Sequence, residues 1–143
     1  MSMQMMLVKW MLKMRGQIMG PDFDVVTLRE NTQKLSRFLP VVKNVRCGTK
    51  ALAGHESELA DPEIPHEDAI IVHIHGGGFV SGSAKSSRPF TSLLAKGANR
   101  KVYSLNYRLA PKHTFPAAAN DCFEQYQNLA NQYPERKIAL IGE

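Results

Sequence analysis

The sequence predicts an α/β fold in which a mostly parallel sheet is flanked by helices. Three observations carry that expectation. Strand-like runs at Ala69–Ile74, Lys101–Asn106 and Lys137–Ile141 alternate with two longer helical stretches, the order that builds parallel strands joined by crossover helices. The first run, Ala69-Ile70-Ile71-Val72-His73-Ile74, passes directly into His75-Gly76-Gly77-Gly78. Each helical stretch opens beside a proline, Pro89 or Pro116, where a missing N–H matters least.

Taken in order, Met1 to Gly20 places Leu7, Trp10, Met11, Met14 and Ile18 on one apolar helical face. Lys9, Lys13 and Arg15 interrupt it, so no uncharged run of about 18 residues exists for a membrane span. No small-residue cleavage site follows an apolar core. A helix covering a site and a helix lying on a membrane surface both suit such a face. Asp24 to Phe38 predicts a second amphipathic helix, ended by Pro40. Val41 to Leu52 reads as one or two strands with Cys47-Gly48 as a turn, and Gly54 to Asp68 as a polar, proline-containing connection. A helix is expected from Ser87-Arg88-Pro89 to about Asn99, then the strand Lys101–Asn106. The next helix runs from Pro116 to Tyr133 and is stopped by Pro134, ahead of the strand Lys137–Ile141. The chain thus divides into a helical segment, 1–40, and an α/β domain, 41–143, without repeats or low-complexity stretches.

Composition bounds the function classes. With 43% hydrophobic and 22% charged residues, the 143-residue chain has ordinary globular usage. That length can bury roughly two-thirds of its unfolded surface. The net charge of +5 is spread along the chain without a run of five Lys or Arg, so a solvated basic surface is expected rather than a nucleic-acid partner. Cys47 and Cys122 neither make a disulfide framework nor show metal spacing, which suits free thiols in a reducing, cytoplasmic setting. Stable membrane insertion is not expected.

The triple glycine carries the chemistry. A buried strand ending in three glycines leaves backbone with no Cβ atoms to block approach and with access to positive φ. Its N–H groups can converge on one point, where they stabilise an oxyanion in acyl transfer or hold a phosphate. Neither Gly-x-x-x-x-Gly-Lys-Ser/Thr nor Gly-x-Gly-x-x-Gly with a ribose-binding acid is present, which weakens the phosphate reading.

His75-Gly76-Gly77-Gly78-Phe79-Val80-Ser81-Gly82-Ser83, followed by Asn106-Tyr107-Arg108-Leu109-Ala110-Pro111-Lys112-His113-Thr114-Phe115-Pro116-Ala117-Ala118 and Asp121, resembles the hormone-sensitive-lipase branch of the α/β-hydrolase family over roughly Ala69 to Glu143. Lys112 stands where that branch commonly has Glu, and Thr114 where it often has Pro. The resemblance implies the N-terminal half of an α/β-hydrolase fold, with N-terminal helices acting as a cap, Met-rich faces of which adapt to varied substrates. It implies a serine carboxylic-ester hydrolase working through an acyl-enzyme on a small-molecule ester. Gly77 and Gly78 would donate N–H groups to the oxyanion, and His75 and Gly76 would support the loop. Lys137–Ile141 matches the strand before the family's Gly-x-Ser-x-Gly elbow, Gly142-Glu143 its first two residues, and the serine would follow Glu143. Acid and histidine follow the serine in that chain order. The resemblance therefore implies no nucleophile, acid or base within these residues and no turnover from the chain alone. It implies no metal and no organic cofactor.

The remaining candidates read as structural. Ser81, Ser83, Ser86 and Ser87 are expected as turn formers and helix caps. Asp121 is expected to pair with Arg108 or cap nearby backbone. His73 and His75 share a strand face, but no third ligand joins them for zinc. His113 is expected to be structural, and His55 and His66 to lie in polar loops. Two other classes stay open: a non-catalytic, hydrolase-derived interaction module and an anion-binding domain using the glycine loop. An apolar sheet edge at the last strand invites pairing, so a homo-oligomer is among the expected states.

Overall fold

The computed structural model describes residues 40–143 and, ahead of them, Asp24, Val26, Thr27, Arg29, Glu30 and Lys34. The apolar face from Leu7 to Ile18, and most of the segment 1–40, lie outside the described residues. Val26, Thr27, Arg29, Glu30 and Lys34 are helical, as expected for the second helix. Asp24 caps it: its carboxylate accepts from the N–H groups of Val26 at 2.9 Å and Thr27 at 3.2 Å, the bonds an N-cap residue makes to the second and third helical positions.

Five strands and two helices follow: β1 (Val45–Leu52), β2 (His55–Pro62), β3 (Ala69–Ile74), α1 (Arg88–Ala98), β4 (Val102–Leu105), α2 (Ala117–Gln132) and β5 (Lys137–Gly142). They build an α/β fold around one sheet in the order β1-β2-β4-β3-β5. The three strands nearest the glycine loop are parallel, with β3 between β4 and β5. β1 and β2 add an antiparallel hairpin beyond β4.

Two details differ from the sequence reading. Cys47-Gly48 is not a turn: both residues lie inside β1, paired with Ala60 and Leu59, and the turn falls at Ala53-Gly54, both at positive φ. The stretch assigned to a polar connection contains β2. Its buried polar residues are satisfied by distant partners. Glu58 takes a two-pronged ion pair from Arg88 of α1 at 2.8 and 3.0 Å, and the Ser57 hydroxyl donates to Gln125 of α2. A buried carboxylate is tolerable only when so paired, and its partner lies 30 residues away in sequence.

The core has two leaves. On one face Leu52, Ile70, Val72, Tyr103 and Leu105 pack against Leu129 of α2; on the other Val45, Ala60, Ile71 and Val102 pack against Ala95 of α1. The alternation of Ile70 and Val72 with Ile71 is the period-two pattern of a strand buried on both faces. α1 ends at Asn99, whose left-handed backbone (φ 50°) lets its N–H reach the carbonyls of Ala95 and Lys96. α2 buries Asp121, Gln125 and Leu129, one stripe at a spacing of four. The parallel strands therefore deliver their C-terminal ends to one side of the molecule, where the glycine loop begins. Among the described residues, no helix is long and apolar enough to cross a membrane.

Candidate active site

The glycine loop leaves the C-terminal end of β3, beside β5. Gly77 has φ 121°, Gly78 φ 61° and Phe79 φ 63°, a left-handed run that turns the backbone out of the sheet. The Gly77 carbonyl closes this turn by accepting from the N–H groups of Val80 and Ser81, both at 3.1 Å, and from the Ser81 hydroxyl. A Cβ on Gly77 would lie 2.2 Å from the Ser81 carbonyl oxygen, so only glycine fits there. Among the described residues, no group accepts from the Gly77 or Gly78 N–H.

Neighbouring segments clamp the loop from outside. The Ala110 N–H donates to the Phe79 carbonyl at 2.9 Å. Arg29 reaches in from the N-terminal helix, its guanidinium donating to the carbonyls of Val80 and Ala110. The Tyr107 ring lies parallel to His75, centroids 4.2 Å apart, and its hydroxyl donates to the His75 carbonyl at 2.6 Å. Gly82 closes the back of the loop, where a Cβ would fall 2.4 Å from the Gly76 carbonyl oxygen and 2.7 Å from His75 Nδ1.

His75 is 3% exposed. Its Nδ1 bonds the Gly76 carbonyl at 2.9 Å. Burial depresses its pKa against the opposing pull of that carbonyl, so the ring is neutral at pH 7. His73 is fully buried one turn of the pleat earlier, with Nδ1 2.9 Å from the Ser104 hydroxyl and Nε2 3.1 Å from Glu143. Burial depresses it too, opposed by Glu143. The two histidines have separate partners. Among the described residues no group of three His, Cys, Asp or Glu could hold a metal ion.

Ser104, His73 and Glu143 form a line in the order of a Ser–His–acid triad. Ser104 is fully buried in β4 under the sheet's covering layer, so no substrate carbonyl can reach its oxygen, and the line is not a nucleophilic site. The other serines near the loop serve local structure. Ser83 and Ser86 exchange side-chain-to-backbone bonds at 3.0 Å across the start of the helical turn. Ser87 occupies the N-cap position of α1 but makes no side-chain capping bond; its carbonyl accepts from the Thr91 hydroxyl. The thiols are free, and burial raises both, Cys122 to about 11, which makes them poor nucleophiles at neutral pH.

Asp121 pairs with Arg108 as expected. It is fully buried at the base of the Tyr107–Pro116 segment and accepts from the Arg108 backbone N–H at 2.9 Å and from the guanidinium at 2.6 Å. The Arg108 guanidinium holds its carboxyl below the usual range. His113 donates its backbone N–H to the Leu109 carbonyl and lines a cavity of about 310 Å³ with Arg29, Ser83, Asn106, Tyr107 and Lys112. His55 opens β2 rather than lying in a loop. The sequence reading missed the Ser104–His73–Glu143 line. Nothing in local composition marks it, because the three residues meet only through strand register.

The chain is similar to known proteins in sequence and in fold. A family model described as alpha/beta hydrolase fold matches residues 71–143. The versiconal hemiacetal acetate esterase of Emericella nidulans is 31% identical over 99 residues, covering 69% of this chain and 35% of that protein. Hormone-sensitive lipase of Bos taurus is 39% identical over 71 residues, covering 50% of this chain and 9% of that protein. The crystal structure of a hormone-sensitive lipase from a metagenome library superposes with a TM-score of 0.84 at 28% identity, covering 94% of this chain and 45% of that one. The chain therefore spans less than half the length of each of these proteins.

Proposed function

The chain belongs to the α/β hydrolase fold family, in its hormone-sensitive-lipase-like branch, and on that premise we propose that it is part of a serine esterase whose glycine loop binds the oxyanion of acyl transfer. One observation carries the reading: the Gly77 and Gly78 N–H groups have no acceptor among the described residues, and their loop lies against Glu143 at the end of β5. A Cβ placed on Gly76 would meet the Glu143 Cβ at 3.0 Å. In the longer protein a serine following Glu143 would stand beside those donors. Its oxygen would attack the ester carbonyl carbon, the carbonyl oxygen would take the negative charge beside Gly77 and Gly78, and collapse would expel the alcohol and leave the acyl-enzyme for water to cleave. The acid and base would come from beyond Glu143. His75 and Gly76 would hold the loop's shape, and the 143 residues alone would not turn over ester. The substrate is a small carboxylic ester. Two free cysteines with no disulfide between them favour a reducing compartment.

The test is the intact mass and sequence of the protein made in its native source, with labelling by a fluorophosphonate. A product well above 16.0 kDa, with serine after Glu143 and one label per chain at that serine, supports the proposal. A product of 16.0 kDa, or a longer one with another residue there, overturns it. A gain in melting temperature with inorganic phosphate would then favour the loop as an anion site.

A further inference from the structure

We propose that His73 is a positioning residue: it holds the Glu143 side chain, and with it the turn after β5, against the glycine loop through a one-way chain of hydrogen bonds from Ser104 to His73 to Glu143. The direction follows from donor arithmetic. A carboxylate only accepts, so His73 Nε2, 3.1 Å from Glu143 Oε1, carries the proton. In a neutral ring Nδ1 is then the acceptor, and the Ser104 hydroxyl 2.9 Å away must donate to it. The ring is fully buried and flanked by Phe90 with centroids 5.3 Å apart, so water does not compete for either nitrogen.

The chain of bonds spans the three parallel strands at their C-terminal ends. His73 on β3 is in register with Ser104 on β4 and Ile141 on β5. Glu143 is fixed a second time, by its N–H donating to the Ile74 carbonyl at 3.3 Å. Two anchors, one from backbone and one from side chain, set where the residue after Glu143 emerges relative to Gly76. Preorganised sites depend on such supporting bonds, and a misplacement of about 1 Å can cost two orders of magnitude in rate. Ser104 and His73 touch neither substrate nor nucleophile; they act through Glu143.

The first measurement uses the 143-residue chain unaltered: long-range ¹H–¹⁵N correlation of the histidine rings at pH 7.5. The expected result is His73 as the Nε2–H tautomer; an Nδ1–H tautomer or an imidazolium overturns the proposal. The second is amide hydrogen exchange at Glu143 in His73→Phe and, because its side chain is half exposed and the fold should survive its loss, in Glu143→Ala. Exchange should rise about tenfold in both, while Glu143→Gln, which still accepts from Nε2–H, stays close to the parent. Unchanged exchange in Glu143→Ala overturns the proposal even if His73→Phe does not fold. A kinetic arm rests on the esterase reading. In the longer protein, His73→Phe and Glu143→Ala should lower kcat about tenfold with KM within about twofold, and Glu143→Gln should keep most of kcat. Full kcat in Glu143→Ala overturns positioning, whereas absence of turnover in the parent sinks only the esterase reading.

Discussion

Tyr107 lies flat on His75, ring planes 7° apart and centroids 4.2 Å apart, while its hydroxyl donates to the His75 carbonyl at 2.6 Å. One side chain from the segment after β4 thus fixes both the ring and the backbone of the residue that starts the glycine loop. Tyr107→Phe keeps the stacking and deletes the hydroxyl, leaving the buried carbonyl unpaired, at an expected cost of about 1–2 kcal/mol. Tyr107→Ala removes the ring as well and should cost about 3–5 kcal/mol. Urea denaturation of the two variants checks the order; equal losses would mean that the stacked ring contributes nothing.

The glycines of the loop should differ sharply in tolerance. Gly77→Ala and Gly82→Ala each drive a methyl into a backbone carbonyl, at 2.2 and 2.4 Å, so both should unfold the loop or displace it. Gly78 is also left-handed, at φ 61°, but among the described residues nothing lies within 4 Å of its Cβ position. Gly78→Ala should therefore cost only the left-handed backbone penalty, about 1–2 kcal/mol. Melting temperatures of the three variants test this, and a Gly78→Ala loss as large as that of Gly77→Ala would contradict it.

Stability should fall in two stages on acidification. His73 and His75 are held below the ordinary imidazole value near 6.5, in each case first by burial. The unfolded chain therefore binds protons that the folded chain refuses. Their contribution is complete above about pH 6.5 and is lost as pH drops toward the folded values. Asp121 is held below the ordinary 3.8 by its bonds to Arg108, so its contribution is complete above about pH 4 and lost below it. Urea midpoints from pH 8 to 3 should show both declines. Asp121→Asn should flatten the lower stage, and a midpoint constant between pH 7 and 5 would refute the upper one.

Both thiols should react slowly while the chain is folded. Burial is the leading cause that raises each, with Cys122 reaching about 11, so at pH 8 little thiolate exists. Iodoacetamide should modify Cys47 and Cys122 far more slowly in buffer than in urea, followed by peptide mass spectrometry. Equal rates in both solvents would show that neither site is protected.

What the sequence alone determined was the local part of this protein. The apolar run Ala69–Ile74, the glycines behind it, the prolines opening α1 and α2 and the stop at Pro134 each act through backbone conformation within a few residues. The parallel strands, both helices and the α/β class were therefore legible, as was the Arg108–Asp121 pair across 13 residues. Tertiary structure alone decided the elements whose logic is remote. β2 reads as a polar connection because Ser57 and Glu58 are hydrophilic; they are buried only because Gln125 and Arg88 arrive to satisfy them. Gly48 belongs to β1 because β2 supplies its pairing partner, Leu59. Ser104, His73 and Glu143 meet through the register of three strands, 31 and 70 residues apart. Composition records what a residue can bond; which partner reaches a buried polar atom is settled by packing, because only the folded sheet removes the water that would otherwise serve.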